Sequence, residues 1–257
     1  MRSSVAPLVL PAGLIAAALA VFLPVPVDAG ARVLQHLLSL AVQVLAAGTS
    51  VIFLNQAATG YAPRDPERRV WRLTALAAAL WGAGFLLYAV REWIGVIRPF
   101  PSASDGFIVA AFLALLFALL GEFRLVNPML THRQRLLLAG GGLALWVVVI
   151  GRFVWPMVAS PIDPLEKSLG IFYASTAALV LPLGLGPAVA FRGGTSGYVW
   201  MGVAGGVLCL ALASLGFAYL AWYEVYTDVH PINLLRVTGL AVLGASGGWH
   251  RRLLEAV

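Results

Sequence analysis

The sequence predicts an all-α fold, a polytopic integral membrane bundle of about eight transmembrane helices arranged as four helical hairpins. Three observations lead to this prediction: 61% of the 257 residues are hydrophobic, only 11% are charged, and the mean hydropathy is +0.91. Soluble domains carry about 25% charged residues. The same composition excludes intrinsic disorder, and the single Cys209 excludes a disulfide scaffold.

The individual spans follow from the length of each apolar segment. A helix needs about 20 apolar residues to cross the hydrocarbon core of a bilayer. Eight segments reach or approach this length, and they are 6–26, 33–55, 71–93, 105–123, 136–157, 169–190, 198–222 and 232–248. The connectors are short and polar or rich in proline, so residues 1–257 are predicted to form a single transmembrane domain.

The basic residues predict the orientation of these spans. Of the 17 basic residues, eleven lie on the side of the two termini and six on the other side. The positive-inside rule therefore places both termini in the cytoplasm. As an alternative, Ala29-Gly30-Ala31 has the pattern of a signal-peptidase site. Cleavage there would remove residues 1–31 and leave seven spans.

Tryptophan and aspartate mark the ends of the predicted hairpins. Trp71 and Trp93 are 22 residues apart, as are Trp200 and Trp222. This spacing corresponds to roughly 33 Å of helix, so one indole is expected at each membrane interface. Asp105 and Asp163 each lie near the start of a predicted helix. A carboxylate interacts favourably with the helix dipole at that position.

Pairs of small residues predict places where two helices approach closely. Gly202 and Gly206 are four residues apart, and so are Gly244 and Gly248. Such pairs allow helix backbones to come together in membranes. The contact is expected either within the chain or between two copies of it.

The charged residues at the exoplasmic helix ends are the candidate binding groups. Ionisable groups at membrane depth cost roughly 2.5–3.5 kcal/mol each on insertion scales, so they usually pair inside a bundle. We therefore expect an outward-facing polar cavity. Its candidate ligand-binding residues are Arg91, Glu92, Arg98, Asp105, Arg152, Glu166, Lys167, Glu224 and Arg236. Alternatively, each side chain extends separately to the lipid headgroups.

Several familiar chemistries find no support in the sequence. His36 is the only histidine within a predicted span, whereas a haem between helices needs two, and His132, His230 and His250 are assigned to loops or ends. No catalytic or metal-ligating motif is present, and the cofactor is unknown. The basic residues are explained by membrane topology, so a nucleic-acid partner is not expected.

Three stretches resemble a known kind of membrane region. They are Ala79-Leu80-Trp81-Gly82 through Tyr88 with Arg91-Glu92-Trp93, then Pro101-Ser102-Ala103-Ser104-Asp105, and finally Pro161–Lys167 with Phe172-Tyr173. Over about residues 70–245 the chain resembles the multi-helix membrane sensor region found upstream of bacterial GGDEF (diguanylate cyclase) domains. The resemblance implies a sensor that takes part in signal transduction in the bacterial inner membrane.

The chain also departs from that family. Aspartates that the family often carries within its helices are absent at Ala174–Ala178, Gly84-Phe85 and Leu215–Phe217. No output domain follows Arg251-Arg252. We therefore expect either a stand-alone membrane module that works through a partner, or a sensor that stops at a domain boundary.

Three functional hypotheses follow. The first is a non-enzymatic sensory or accessory module that supports or signals through a protein partner or homo-oligomer in the bilayer. The second is a small-molecule carrier or channel. The third is a membrane enzyme that acts on lipid or isoprenoid through Glu92, Asp105 and Glu224.

Overall fold

The computed structural model describes residues 6–22, 29–93, 101–161, 163–223, 226–227 and 229–256, and every regular element in these ranges is helical. Helices α1 to α9 are Ala6–Phe22, Ala29–Thr59, Pro66–Trp93, Ala103–Val126, His132–Val149, Trp155–Ala159, Pro164–Ala190, Thr195–Trp222 and Ile232–Glu255. A 3-10 turn, Asn127–Met129, follows α4, and a π-helical turn, Ile150–Val154, joins α5 to α6.

Six helical stretches in the described residues are long and apolar enough to cross a membrane. They are Val33–Thr59, Pro66–Arg91, Ala103–Met129, His132–Ala159, Pro164–Ala190 and Thr195–Leu220. The expected spans 6–26 and 232–248 correspond to α1 and α9, which are outside this set. Helix α1 has only 17 residues, and α9 carries Asn233, Arg236 and His250 among its apolar residues.

Six of the helices form a closed ring. Around it, α2 contacts α3, α3 contacts α4, α4 contacts α7, α7 contacts α8, α8 contacts α9, and α9 returns to α2. Helix α1 packs outside the ring on α9 and α2, and α5 packs outside on α7. Helices of consecutive hairpins, such as α2 and α3, therefore contact each other, as the two helices of one hairpin do.

Local polar contacts explain where two of the helices begin. The backbone N–H of Ser102 donates to Oδ2 of Asp105 over 2.7 Å at the start of α4. Asp163 is the N-cap of α7, and its Oδ1 accepts from the backbone N–H of Leu165 over 2.8 Å. Both carboxylates compensate backbone donors that have no partner within the helix. The prediction that these aspartates mark helix starts is confirmed.

Small residues bring α8, α9 and α2 into close contact. A Cβ atom on Gly206 would lie 2.9 Å from the carbonyl oxygen of Gly239, and one on Gly244 would lie 2.9 Å from Cα of Ser50. Across the same interface, Oγ of Ser50 donates to the carbonyl oxygen of Leu240 over 2.6 Å. The predicted close approach at Gly206 and Gly244 is confirmed, and the contact lies within the chain.

Two tryptophans assigned to the membrane interfaces are instead buried inside the bundle. Trp71 and Trp200 pack on each other with ring centroids 5.5 Å apart, and Trp71 stacks on His250 at 4.8 Å. The ring of Tyr61 lies nearly parallel to that of His250 with centroids 5.8 Å apart, and its hydroxyl shares a 2.6 Å hydrogen bond with Nε2. Together Tyr61, Trp71, Trp200 and His250 form an aromatic stack at one end of the ring.

The aromatic stack also corrects the placement of His250. The sequence assigns this residue to a loop or chain end, but α9 continues to Glu255, and His250 is buried in its last turns.

Burial, together with the negative charges of Glu67 and Glu122, raises the pKa of Tyr61 to about 12. The phenol therefore stays neutral at physiological pH and keeps its proton for hydrogen bonding.

Candidate functional site

The six helices of the ring enclose a cavity at the end opposite the aromatic stack. Its volume is about 60 Å³. At 10–15 Å³ for each water molecule, this space holds roughly four to six waters or a ligand of similar size. The cavity is lined by Leu40, Gln43, Trp81, Gly84, Phe85, Tyr88, Ala89, Ser104, Asp105, Ile108, Tyr173, Leu210, Ser214, Phe217, Tyr226 and Arg236.

Asp105 supplies the negative charge of this cavity. The residue is only 6% exposed, and its two carboxylate oxygens have separate partners. Oδ2 accepts from the backbone N–H of Ser102 over 2.7 Å and from its Oγ over 3.1 Å. Oδ1 accepts from the hydroxyl of Tyr173 over 2.7 Å, which connects α4 to α7. These bonds hold the carboxylate in one orientation at the cavity wall.

Arg236 on α9 supplies the positive charge. Its guanidinium carbon lies 4.8 Å from the ring centroid of Phe217, 5.5 Å from that of Tyr226 and 5.8 Å from that of Phe85. Nη1 also donates to the hydroxyl of Tyr226 over 2.9 Å. Aromatic faces attract cations, so three rings and one hydroxyl hold the guanidinium in place without neutralising it.

The two opposite charges line the same cavity but do not form an ion pair with each other in the described residues. Beside Asp105, Oγ of Ser104 is buried without a hydrogen-bond partner in the described part of the chain. Buried polar groups normally have a partner, and a bound water or ligand is one way in which such a hydroxyl is satisfied. Charged and polar groups thus converge on a space that no protein atom fills.

Comparisons with protein-family models, with curated proteins and with solved structures find no significant match for this chain. The site is therefore interpreted from its own geometry. Two separated charges, an unsatisfied hydroxyl and a wall of aromatic rings can orient a small polar molecule, because the charges select its ends and the rings exclude bulk water.

The structure brings two of the nine predicted binding residues to this cavity, Asp105 and Arg236. Four others do not line it. Arg91 and Glu166 are half-buried elsewhere, Arg152 is exposed on the π-helical turn, and Nζ of Lys167 donates to the carbonyl oxygen of Val158 over 2.8 Å. The remaining three lie outside the described residues, namely the side chain of Glu92 and all of Arg98 and Glu224.

Several lining residues were not predicted from the sequence. Ser104 and Tyr173 belong only to the stretches that resemble the sensor region, and no sequence pattern indicates Gln43 or Ser214 as binding residues. Each lies within an apolar helix, where one polar residue is usually hydrogen-bonded to its own backbone, as Ser214 is to Leu210 over 2.9 Å. Their approach to one cavity depends on how the helices pack.

Beyond the cavity, most of the buried side chains in the described part of the ring are apolar. One or two turns farther along the same helices, alanine, valine and leucine predominate. These buried residues are Ala46, Ala47, Ala77, Ala78, Ala111, Leu115, Ala177, Val180, Val207, Leu240 and Leu243. Within the described ranges, no group of three histidine, cysteine, aspartate or glutamate side chains could hold a metal ion.

Replacing Tyr173 with phenylalanine tests the contact that positions Asp105. The variant loses the hydrogen bond to Oδ1, and such bonds to charged groups contribute roughly 1.5–3 kcal/mol. Because the carboxylate keeps its bonds to Ser102, we expect the free energy of unfolding in detergent to fall by about 1.5 kcal/mol. Tyr198→Phe removes a hydroxyl from a residue that is 71% exposed and serves as the matched control. Equal losses in both variants would contradict the assignment.

Proposed function

We propose that this chain is an integral membrane sensory or accessory module that binds a small polar molecule and acts through a partner protein. In this proposal the eight expected spans form four hairpins, both termini are cytoplasmic, and the cavity opens outward in a bacterial inner membrane. The observation that carries the proposal is that Asp105 and Arg236 line one cavity without forming an ion pair with each other in the described residues.

The charge arrangement favours a zwitterionic ligand. A carboxylate on the ligand would accept hydrogen bonds from Arg236, and an ammonium group would donate to Asp105. Such a ligand satisfies both buried charges at once, whereas an anion or a cation alone satisfies one. The volume of about 60 Å³ admits a molecule of the size of glycine.

Two features support binding rather than transport or catalysis. Most of the described buried side chains beyond the cavity are apolar, which favours a closed binding site over a polar route across the bundle. Asp105, one of the three carboxylates in the enzyme hypothesis, lines the cavity. It already accepts three hydrogen bonds that fix its position.

The sensory role is supported by the position of the family-like stretches. Trp81, Tyr88, Asp105 and Tyr173 all belong to the stretches on which the resemblance to the GGDEF-associated region rests, and all four line the cavity. The stretches that carry the resemblance therefore meet at the cavity in this structure.

The proposal is tested with three small probes that differ in charge. Glycine carries both charges, acetate carries the carboxylate alone, and methylammonium carries the cation alone. We expect glycine to raise the thermal unfolding midpoint of the detergent-purified chain more than either of the other probes, because binding to the native state stabilises it. If glycine has no effect, the proposed ligand chemistry is wrong.

Three single substitutions test which residue of the cavity binds which charge of the ligand. Asp105→Asn should remove the response to methylammonium and keep that to acetate, whereas Arg236→Gln should do the reverse. Both should weaken the response to glycine. Lys167→Gln removes a cation that does not line the cavity, so it should leave all three responses unchanged. A loss of response in Lys167→Gln would indicate nonspecific charge effects.

A further inference from the structure

A basic groove lies at the opposite end of α3 from the ligand cavity. Its volume is about 580 Å³, and it is formed by the loop between α2 and α3 and by the first turns of α3. The lining contains four arginines and one aspartate, and it consists of Pro63, Arg64, Asp65, Pro66, Arg68, Arg69, Arg72, Leu73 and Leu76. Its charge is therefore strongly positive.

The positive charges of this groove are available to a ligand. Arg64, Arg69 and Arg72 are exposed and form no side-chain hydrogen bond or ion pair within the described part of the chain. The single carboxylate is already engaged, because Oδ2 of Asp65 accepts from the backbone N–H of Ala62 over 2.7 Å. An anion can thus approach the arginines without displacing an existing partner.

Two further features of the groove favour a phosphate group. Nη1 of Arg68 donates to the carbonyl oxygen of Tyr61 over 3.3 Å, while its buried Nε has no hydrogen-bond partner in the described residues. The groove also includes Pro66, the first residue of α3. The unpaired N–H groups and the dipole at such a helix start attract anions, and guanidinium groups bind phosphate oxygens in pairs.

The groove changes from polar to apolar along one face of α3. Arg69, Arg72, Leu73 and Leu76 follow the spacing i, i+3, i+4 and i+7, which places them on the same side of the helix. The arginines are at the helix start, and the leucines come one turn later, on the stretch that is long and apolar enough to cross a membrane. A phospholipid has the same order of charge followed by hydrocarbon.

A second basic groove, near the end of α9, lacks these features. Arg251 and Arg252 line it with Phe53, Gln56, Thr59, Gly248 and Glu255. Nε of Arg251 already pairs with Oε1 of Glu255 over 2.8 Å. No leucine follows these arginines in the lining. This groove has a similar position and one of its arginines is already paired, so it serves as a comparison site.

We infer that the groove at the start of α3 binds the phosphate-bearing headgroup of an anionic phospholipid. Arg64, Arg69 and Arg72 contact the phosphate, Arg68 forms part of the groove wall, and one acyl chain runs along Leu73 and Leu76. The site is separate from the ligand cavity and does not depend on the function proposed for it.

The inference is tested by titrating the detergent-purified full chain with micelles that contain dioleoylphosphatidylglycerol or dioleoylphosphatidylcholine. Bound lipid is counted by native mass spectrometry. We expect retention of phosphatidylglycerol and little retention of phosphatidylcholine. Each arginine near an anionic lipid contributes about a factor of five to binding, so the double variant Arg69→Gln/Arg72→Gln should weaken phosphatidylglycerol binding roughly 20- to 30-fold.

Two further variants and one competitor make the test specific. Arg251→Gln/Arg252→Gln removes as many charges from the comparison groove and should leave the affinity nearly unchanged. Leu76→Ser should weaken lipid binding through the acyl chain. Unchanged binding in Arg69→Gln/Arg72→Gln, or an equal loss in the two double variants, overturns the inference. Complete displacement by inorganic phosphate, with no effect of Leu76→Ser, would indicate a free-phosphate site instead.

Discussion

Replacing Trp71 with alanine should lower the free energy of unfolding in detergent by about 3–5 kcal/mol, the usual cost of removing a large buried aromatic side chain. The indole is 1% exposed and packs between Trp200 and His250, with ring centroids 5.5 and 4.8 Å away. Its removal leaves a cavity where α3, α8 and α9 meet. We expect a lower thermal unfolding midpoint and a smaller unfolding free energy in denaturant titrations.

Trp155→Ala is the matched control for this variant. Trp155 is 69% exposed, so the same chemical change removes few contacts within the protein. Its effect on the free energy of unfolding should stay below about 1 kcal/mol. Similar losses in the two variants would show that Trp71 is not the packing residue that its burial implies.

Replacing Gly206 with leucine should destabilise the bundle by about 3 kcal/mol. A Cβ atom there would lie 2.8 Å from Cγ of Leu243 and 2.9 Å from the backbone oxygen of Gly239. The leucine side chain of α9 can rotate, but the backbone oxygen cannot move without separating the two helices. Overpacked sites of this kind typically cost 1–3 kcal/mol, and a backbone contact places this one at the upper end.

The adjacent Gly205 provides the control, because a Cβ atom there meets nothing within 4 Å. It borders an apolar groove of about 460 Å³, which has room for a leucine side chain. Since leucine has a higher helix propensity than glycine, Gly205→Leu should be neutral or slightly stabilising. A large loss of stability for Gly206→Leu and none for Gly205→Leu, measured by thermal unfolding, would confirm the packing of α8 on α9.

Composition was sufficient to predict the helical class, because long apolar segments have few other stable folds in a membrane. It was insufficient for the ring, because hydropathy records how apolar a residue is and not which neighbour it contacts. Trp71 and Trp200 have the same 22-residue spacing from a second tryptophan that interfacial anchors show, yet both are buried. Helix α9 has a low hydropathy because it contains several polar residues. Asn233 and His250 among them are buried inside the bundle, so a low hydropathy does not mean that the helix is exposed.

The candidate site, like the fold, could be predicted only in part from the sequence. Asp105 and Arg236 were predicted because charges in apolar segments are costly and usually have a function. The other candidates had the same pattern, and only packing distinguishes Lys167, which bonds to the backbone of Val158, from Arg236, which faces the cavity. No local signal identifies Tyr173 as the partner of Asp105, since 68 residues separate them.

The closed ring has a consequence for the order in which the protein assembles. Helix α2 contacts both α3 and α9, yet the hydrogen bond from Ser50 to Leu240 joins residues 190 positions apart. During synthesis, the bond between Ser50 and Leu240 cannot form until α9 has been inserted. Contacts of such long sequence separation form slowly. We therefore expect the insertion of α9, rather than the early hairpins, to set the rate at which the native bundle forms.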